Sequence, residues 1–386
     1  MLLSLVFLIV GCENHSDPSE QEPANKGPFH VHPGEDIQQA LDQASRANEN
    51  RRVIVHAGTY SPPLPAFAFL VLTSRHDGVE LIAEGDVTLS ARSEPSTPAT
   101  SPSLVNHVIY CGDGLSSKTL IEGFTITGAN GFVTQDRIPQ ERFGMREETL
   151  QRGTFFLLDG GGLKVFGQSS PTIRNVRFIE NCTDLCGGAV SIEQQGFNEV
   201  AVSFENCLFQ GNRCPGTGSA IDVLSGSSAR ITNCLFVGNI ANFGMEQISR
   251  DFGLTYNEQH GCGALTVFPG SRVFVTSSTF TENWNGIDDH GQGSQYEQCL
   301  LWNNTATDGS RPGKPYEVDI LDGSGVKDCW IHGEINDLRG TVNQEWNRFA
   351  PPDPEFDSDF IPRNPDYVDV GYRPPVSTPS KDELLN

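Results

Sequence analysis

Hydrophobic and polar positions alternate in short bursts along this chain, and the bursts recur. The clearest reads Asn175-Val176-Arg177-Phe178-Ile179-Glu180-Asn181. It returns as Asn206-Cys207-Leu208-Phe209-Gln210-Gly211-Asn212 and as Asn233-Cys234-Leu235-Phe236-Val237-Gly238-Asn239, with looser copies beginning at Ser277, Gln298 and Asp328. Apolar residues at every second position predict half-buried strands, because a helix would space them by 3.6. A second element precedes the first: Gly161-Gly162-Leu163, Gly187-Gly188-Ala189-Val190, Gly218-Ser219-Ala220-Ile221 and Gly263-Ala264-Leu265. The copies start 31, 27, 44, 21 and 30 residues apart. A constant motif at varying intervals predicts a solenoid in which each unit is one coil and the loops absorb the differences in length.

Stacking the units predicts three columns. Phe178, Phe209, Phe236, Phe280, Leu301 and Ile331 fall inside the coil, beside Val176, Cys207, Cys234, Ser278, Cys299 and Cys329. Asn181, Asn212, Asn239, Asn283 and Asn304 fall at a turn, where stacked amides can hydrogen-bond from coil to coil. The Gly-Gly-Ala and Phe-x-Gly-Asn motifs resemble the repeats of chlamydial polymorphic outer-membrane proteins. They also resemble secreted bacterial β-helix proteins of the pectate-lyase-like superfamily, over about residues 30–335. The resemblance implies an all-β fold, a single-stranded right-handed parallel β-helix over residues 29–340, with insertions at 131–159 and 241–261.

The ends of the chain read differently. Ile37, Ala40, Leu41 and Ala44 recur at helical spacing, which predicts an amphipathic helix over 34–47 capping the first coil. The Pro-rich segment 341–386 is expected to run back over the last coils. At the N-terminus, residues 2–10 are almost wholly apolar and lead into Ile9-Val10-Gly11-Cys12, which resembles a bacterial lipobox. About nine apolar residues cannot span a bilayer, so the segment reads as a signal whose Cys12 is lipidated, with 13–28 as a polar tether. The expectation is an exported protein held at the cell envelope by a lipid.

Composition narrows the partners. The chain carries 26 Lys and Arg against 49 Asp and Glu, a net charge of -23, which repels nucleic acid and polyanionic sugars alike. No Cys-x-x-Cys pair is present, so zinc-ribbon geometry is not expected.

Aligning the Gly-rich elements places Lys164, Ser191, Asp222, Thr266, Asp288 and Asp319 in one outward column, with Phe166, Glu193, Leu224, Phe268, His290 and Leu321 two residues further on. In pectate-lyase-like enzymes the groove lies on such a face, which the resemblance makes the place for a polysaccharide to be bound or cleaved. Asp288, Asp289, His290 and Lys164 are the catalytic candidates, for a hydrolase or a lyase. Asp222, Glu193, Phe268, Arg142 and Arg146 are the substrate-binding candidates. Asp222, Asp288 and Asp319 are candidate ligands for Ca²⁺, a cation that takes oxygen donors. A non-catalytic adhesion or structural role at the cell surface is the alternative. Cys186 and Cys214, near turns, are candidates for a disulfide.

Overall fold

The computed structural model describes residues 26–375 apart from 93–102, 113, 135–156, 197–198, 243–261, 306–314, 321–322, 338–341 and 344. The chain winds through repeated sets of three short strands. One set comprises Val190–Glu193, Val202–Glu205 and Leu208–Gln210. The next comprises Ile221–Val223, Ser228–Thr232 and Leu235–Val237. Each strand pairs in parallel with its counterpart in the following coil, as in Phe209↔Phe236 and Ile192↔Val223. The first strands of the coils form a nine-stranded sheet, and the second and third strands form a seventeen-stranded one. This is a right-handed parallel β-helix.

Two local requirements explain why these motifs make coils. The second and third strands of a coil meet at a single residue with left-handed backbone, at Asn175, Asn206, Asn233, Ser277, Gln298 and Asp328 (φ 48–54°). These are the six positions at which the repeat begins, and Asn tolerates that conformation better than most side chains. The Gly-Gly element answers to space. A Cβ on Gly188 would lie 2.5 Å from the carbonyl oxygen of Arg213 and 2.6 Å from that of Ser219.

The interior is one continuous apolar cluster from Val31 to Ile331. The phenylalanine column stacks as expected, with ring centroids 5.0, 4.7 and 4.3 Å apart from Phe178 through Phe209 and Phe236 to Phe280. Cys207, Cys234, Cys299 and Cys329 are buried free thiols in the neighbouring inward column. Cys186 and Cys214 are free thiols as well, in place of the expected disulfide.

The asparagine column is a directed chain of hydrogen bonds. Asn181 Nδ2 donates to Asn212 Oδ1 (3.2 Å), Asn212 to Asn239 (2.9 Å), Asn239 to Asn283 (2.9 Å) and Asn283 to Asn304 (2.7 Å). The second Nδ2 proton goes to a backbone carbonyl of the preceding coil, at Ile126, Phe178, Phe209, Phe236 and Phe280. The chain ends where Asn304 Nδ2 donates to the buried carboxyl of Glu317.

Each end of the described chain docks on the stack. The helix Ile37–Ser45 buries Ile37, Ala40, Leu41 and Ala44 against the first coils, and Asp36 caps it by accepting from Gln39 N–H. At the other end, residues 367–373 cross the third-strand face toward the N-terminus. Tyr367 lies on Trp330, Gly371 N–H donates to Gln298 O, Tyr372 N–H to Thr279 Oγ1, and Arg373 N–H to Asn233 Oδ1. No helix among the described residues is long and apolar enough to cross a membrane.

Candidate functional site

The outward column exists in the expected order. Lys164, Ser191, Asp222, Thr266, Asp288 and Asp319 are successive register partners along the nine-stranded sheet. Their exposure corrects the expectation, because each is at most 1% accessible. Strand alternation decides which side of a sheet a residue takes, not whether that side is open. Here residues from the connections entering each strand, such as Asp159, Thr217, Cys262 and Tyr316, bond to the column from above.

Lys164 shows what the covering does. Its ammonium donates to Asp159 Oδ1 (2.7 Å), Glu193 Oε2 (2.9 Å) and Ser191 Oγ (3.1 Å), and Ser191 Oγ donates to Asp159 Oδ2 (3.0 Å). Three ammonium protons meet three buried acceptors. A lysine so enclosed does not stand on an open face, where the expectation had placed it. Glu193, 5% accessible, belongs to the same network and does not face an open groove.

Asp222 accepts from Thr217 Oγ1, 3.1 Å from Oδ1 and 3.2 Å from Oδ2. Burial, and after it the negative charge of Asp159, pushes its carboxyl up to about 8, although Thr217 and Lys164 pull the other way. Thr266 separates Asp222 from Asp288, and its hydroxyl oxygen accepts from the backbone N–H of Gly218 (3.0 Å) and Gly263 (3.2 Å). Asp288 accepts from Cys262 N–H (2.9 Å) and from the hydroxyl of Tyr316, and its Oδ1 lies 2.7 Å from His290 Nε2. Burial opposes charge on His290, but the bond to Asp288 and the surrounding aspartates outweigh it and hold the ring above its ordinary value. The His290 side chain is 24% exposed and Phe268 is half-buried, so these two neighbours of the column reach solvent where the column does not.

Asp289 departs furthest from its expected place. It is the register partner of Val267 and Ile320, so it points into the coil. There its Oδ1 accepts from Gly291 N–H (2.7 Å) and its Oδ2 from the hydroxyl of Tyr296 (3.0 Å). Burial raises its pKa. It is held inside the core, by Gly291 and Tyr296, and not on the outward face.

Asp288 and Asp319 are neighbours across one pair of strands, whereas Asp222 stands two strands away. No group of three or more His, Cys, Asp or Glu among the described residues is arranged to hold a metal ion. Arg142, Arg146 and Cys12 lie outside the described residues. Reading the repeat passed over Asp159, Thr217 and Tyr316, because they sit in connections that carry no periodic signal.

An open site lies at the C-terminal end of the stack. A cleft of about 410 Å³ is lined by Trp330, Trp346, Arg348, Asp328, Asp366 and Asp369 among others. Trp346 is 55% exposed. The Arg348 guanidinium covers the Trp330 ring at 4.3 Å and lies 3.7 Å from Asp366, while Tyr367 packs against the same indole at 4.3 Å. These residues fall in the last coil and the tail, where the repeat gives no column to extrapolate.

Comparison with known proteins agrees with this architecture. The family described as right handed beta helix region matches residues 109–255 and again 189–336. No curated protein and no solved structure matches the chain.

Proposed function

Because this chain belongs to the right-handed β-helix family, we propose that it is an exported, lipid-anchored scaffold that binds a glycan at its C-terminal end. The observation that carries this reading is the cleft beside Trp346. An exposed indole offers a flat apolar face to a sugar ring, and the carboxylates of Asp328, Asp366 and Asp369 accept hydrogen bonds from hydroxyl groups. Arg348, already engaged with Trp330 and Asp366, adds a single cation. This acidic lining, on a chain of net charge -23, favours a neutral glycan over uronic-acid or sulfated polymers.

The buried column favours binding without cleavage. Lys164 and Glu193 are committed to each other, and Asp222 and Asp288 to the connections above them. A reacting sugar would have to displace those partners.

The test is affinity electrophoresis and calorimetry of the whole chain against neutral, uronic-acid and sulfated polysaccharides. At least one neutral glycan should bind, and Trp346→Ala should weaken it tenfold or more. Failure of every neutral glycan to bind, or unchanged affinity in Trp346→Ala, would remove this reading. Turnover lost in Asp288→Asn or Lys164→Met would restore catalysis on the column.

A further inference from the structure

A buried amine and a buried carboxyl stand in contact where the chain returns to the stack after the first insertion. Asp159, Gly160, Gly161 and Gly162 lead into the strand Leu163–Phe166, which carries Lys164. Lys164 Nζ lies 2.7 Å from Asp159 Oδ1 and 2.9 Å from Glu193 Oε2. Lys164 and Ser191 are fully buried, and Asp159 and Glu193 are each 5% accessible. The turn is shaped for this approach. Gly160 has left-handed backbone (φ 76°), and a Cβ there would lie 2.7 Å from Leu163 O. Its carbonyl accepts from Nδ1 of the buried His107 (2.9 Å). The register partner of Lys164 on the preceding coil is Tyr110, which packs with Phe67 and Phe166.

We propose that Lys164 and Asp159 condense into an intramolecular amide, an isopeptide bond that closes residues 159–164 into a ring, with Glu193 as the proton carrier. One ammonium proton passes to Asp159 Oδ1, which leaves a neutral amine against a carboxylic acid. Nζ attacks Cγ once the carboxyl turns its face about the Cβ–Cγ bond. Ser191 Oγ donates to Asp159 Oδ2 (3.0 Å) and stabilises the charge that gathers on that oxygen. Glu193 takes a second proton from Nζ and passes it to Oδ1, which departs as water. The Nζ–Cγ bond forms, the Cγ–Oδ1 bond breaks, and the third proton stays on the new amide. Glu193 ends as it began, so no oxidant, reductant or cofactor enters the balance. Asp159 is the partner rather than Glu193 because it is the nearer carboxyl and the one whose second oxygen has a hydroxyl donor. Contact between the reactants replaces a bimolecular encounter. Charges are costly in a buried site, and condensation removes one of each sign. The bond ties the exit of the first insertion to the nine-stranded sheet.

The experiment is tryptic peptide mapping of the purified full chain by mass spectrometry, after unfolding and reduction. Trypsin does not cleave after an acylated lysine. Wild type should therefore yield residues 153–174 as one peptide, lighter than its sequence by one molecule of water, with no backbone fragments arising between 159 and 164. Lys164→Met and Asp159→Ala should give peptides at full sequence mass. Glu193→Gln should lower the linked fraction at least about tenfold, and circular dichroism with thermal unfolding shows whether each variant keeps its coils. The bond is disproved if wild type yields residues 153–164 at their sequence mass, a result that needs no variant to fold. It is also disproved if water is lost from a peptide that still ends at Lys164, because that product is the cyclic imide of Asp159 with Gly160. A linked fraction unchanged in Glu193→Gln would overturn the proton carrier.

Discussion

Glu317 occupies a position that the asparagine column would otherwise give to another amide. Asn304 donates to it twice, from Nδ2 and from the backbone N–H, and both carboxyl oxygens accept. Burial outweighs those bonds and pushes the carboxyl from 4.5 up to about 7. A carboxyl whose folded pKa lies above its unfolded one binds the proton more tightly in the folded state. Its contribution is therefore complete below about pH 4.5 and lost as pH rises through about 7, on the order of 3 kcal/mol. Asp222, held up to about 8, adds in the same direction. Urea titrations should find the protein more stable at pH 5 than at pH 8, and Glu317→Gln should flatten that slope. A Gln oxygen can accept both Asn304 bonds just as the rungs below do. A slope that survives in Glu317→Gln would assign the dependence elsewhere. Phe209, fully buried between Phe178 and Phe236, is a second test at this scale. Phe209→Ala should cost about 3–5 kcal/mol in the same assay. The stacked columns were legible residue by residue, because a one-residue slip would have moved every apolar side chain to the wrong side. Asp289 was not legible. Its identity suggests solvent, and only the register with Val267 and Ile320 reveals that it turns inward to meet Tyr296.

Among the elements, the capping helix and the tail differ in how far the sequence describes them. The helix announced itself through four apolar residues on one face, and those four are buried. The tail was recognised only as proline-rich and non-repetitive, so its docking residues could not be named beforehand. Tyr367 is the principal one. It is fully buried, shares a cluster with Leu300 and Val370, and its hydroxyl donates to Pro352 O. Tyr367→Ala should destabilise the protein by about 3 kcal/mol. It should also quicken proteolysis within residues 354–375 before the coils themselves unfold. Cleavage that begins at the same rate in wild type and variant would show that the tail does not depend on this anchor. The sealing of the outward column was the least legible feature. It depends on which connection residues lie above a sheet, and Asp159, Thr217 and Tyr316 carry no repeat by which to align them.

At the scale of the whole molecule, the stack of coils carries its histidines His30, His32 and His56 on the first coil and its cleft at the last. Anchoring would set the direction of that stack. Cys12→Ser should transfer the protein from the membrane fraction to the soluble one or leave an uncleaved precursor, and unchanged fractionation and mass would exclude the lipid. The asparagine chain carries a further consequence, one of ancestry and growth. Every amide in it donates the same way along the axis, from Asn181 toward Asn304, and the last meets an acceptor that has no proton to pass on when ionised. Glu317 thus acts as a terminus written into the sequence. A duplicated coil spliced between Asn181 and Asn304 inherits a donor below and an acceptor above, whereas one appended after Glu317 finds the line closed. Lengthening of this protein by gene duplication is therefore expected to have proceeded by insertion within the series and not by extension of its end.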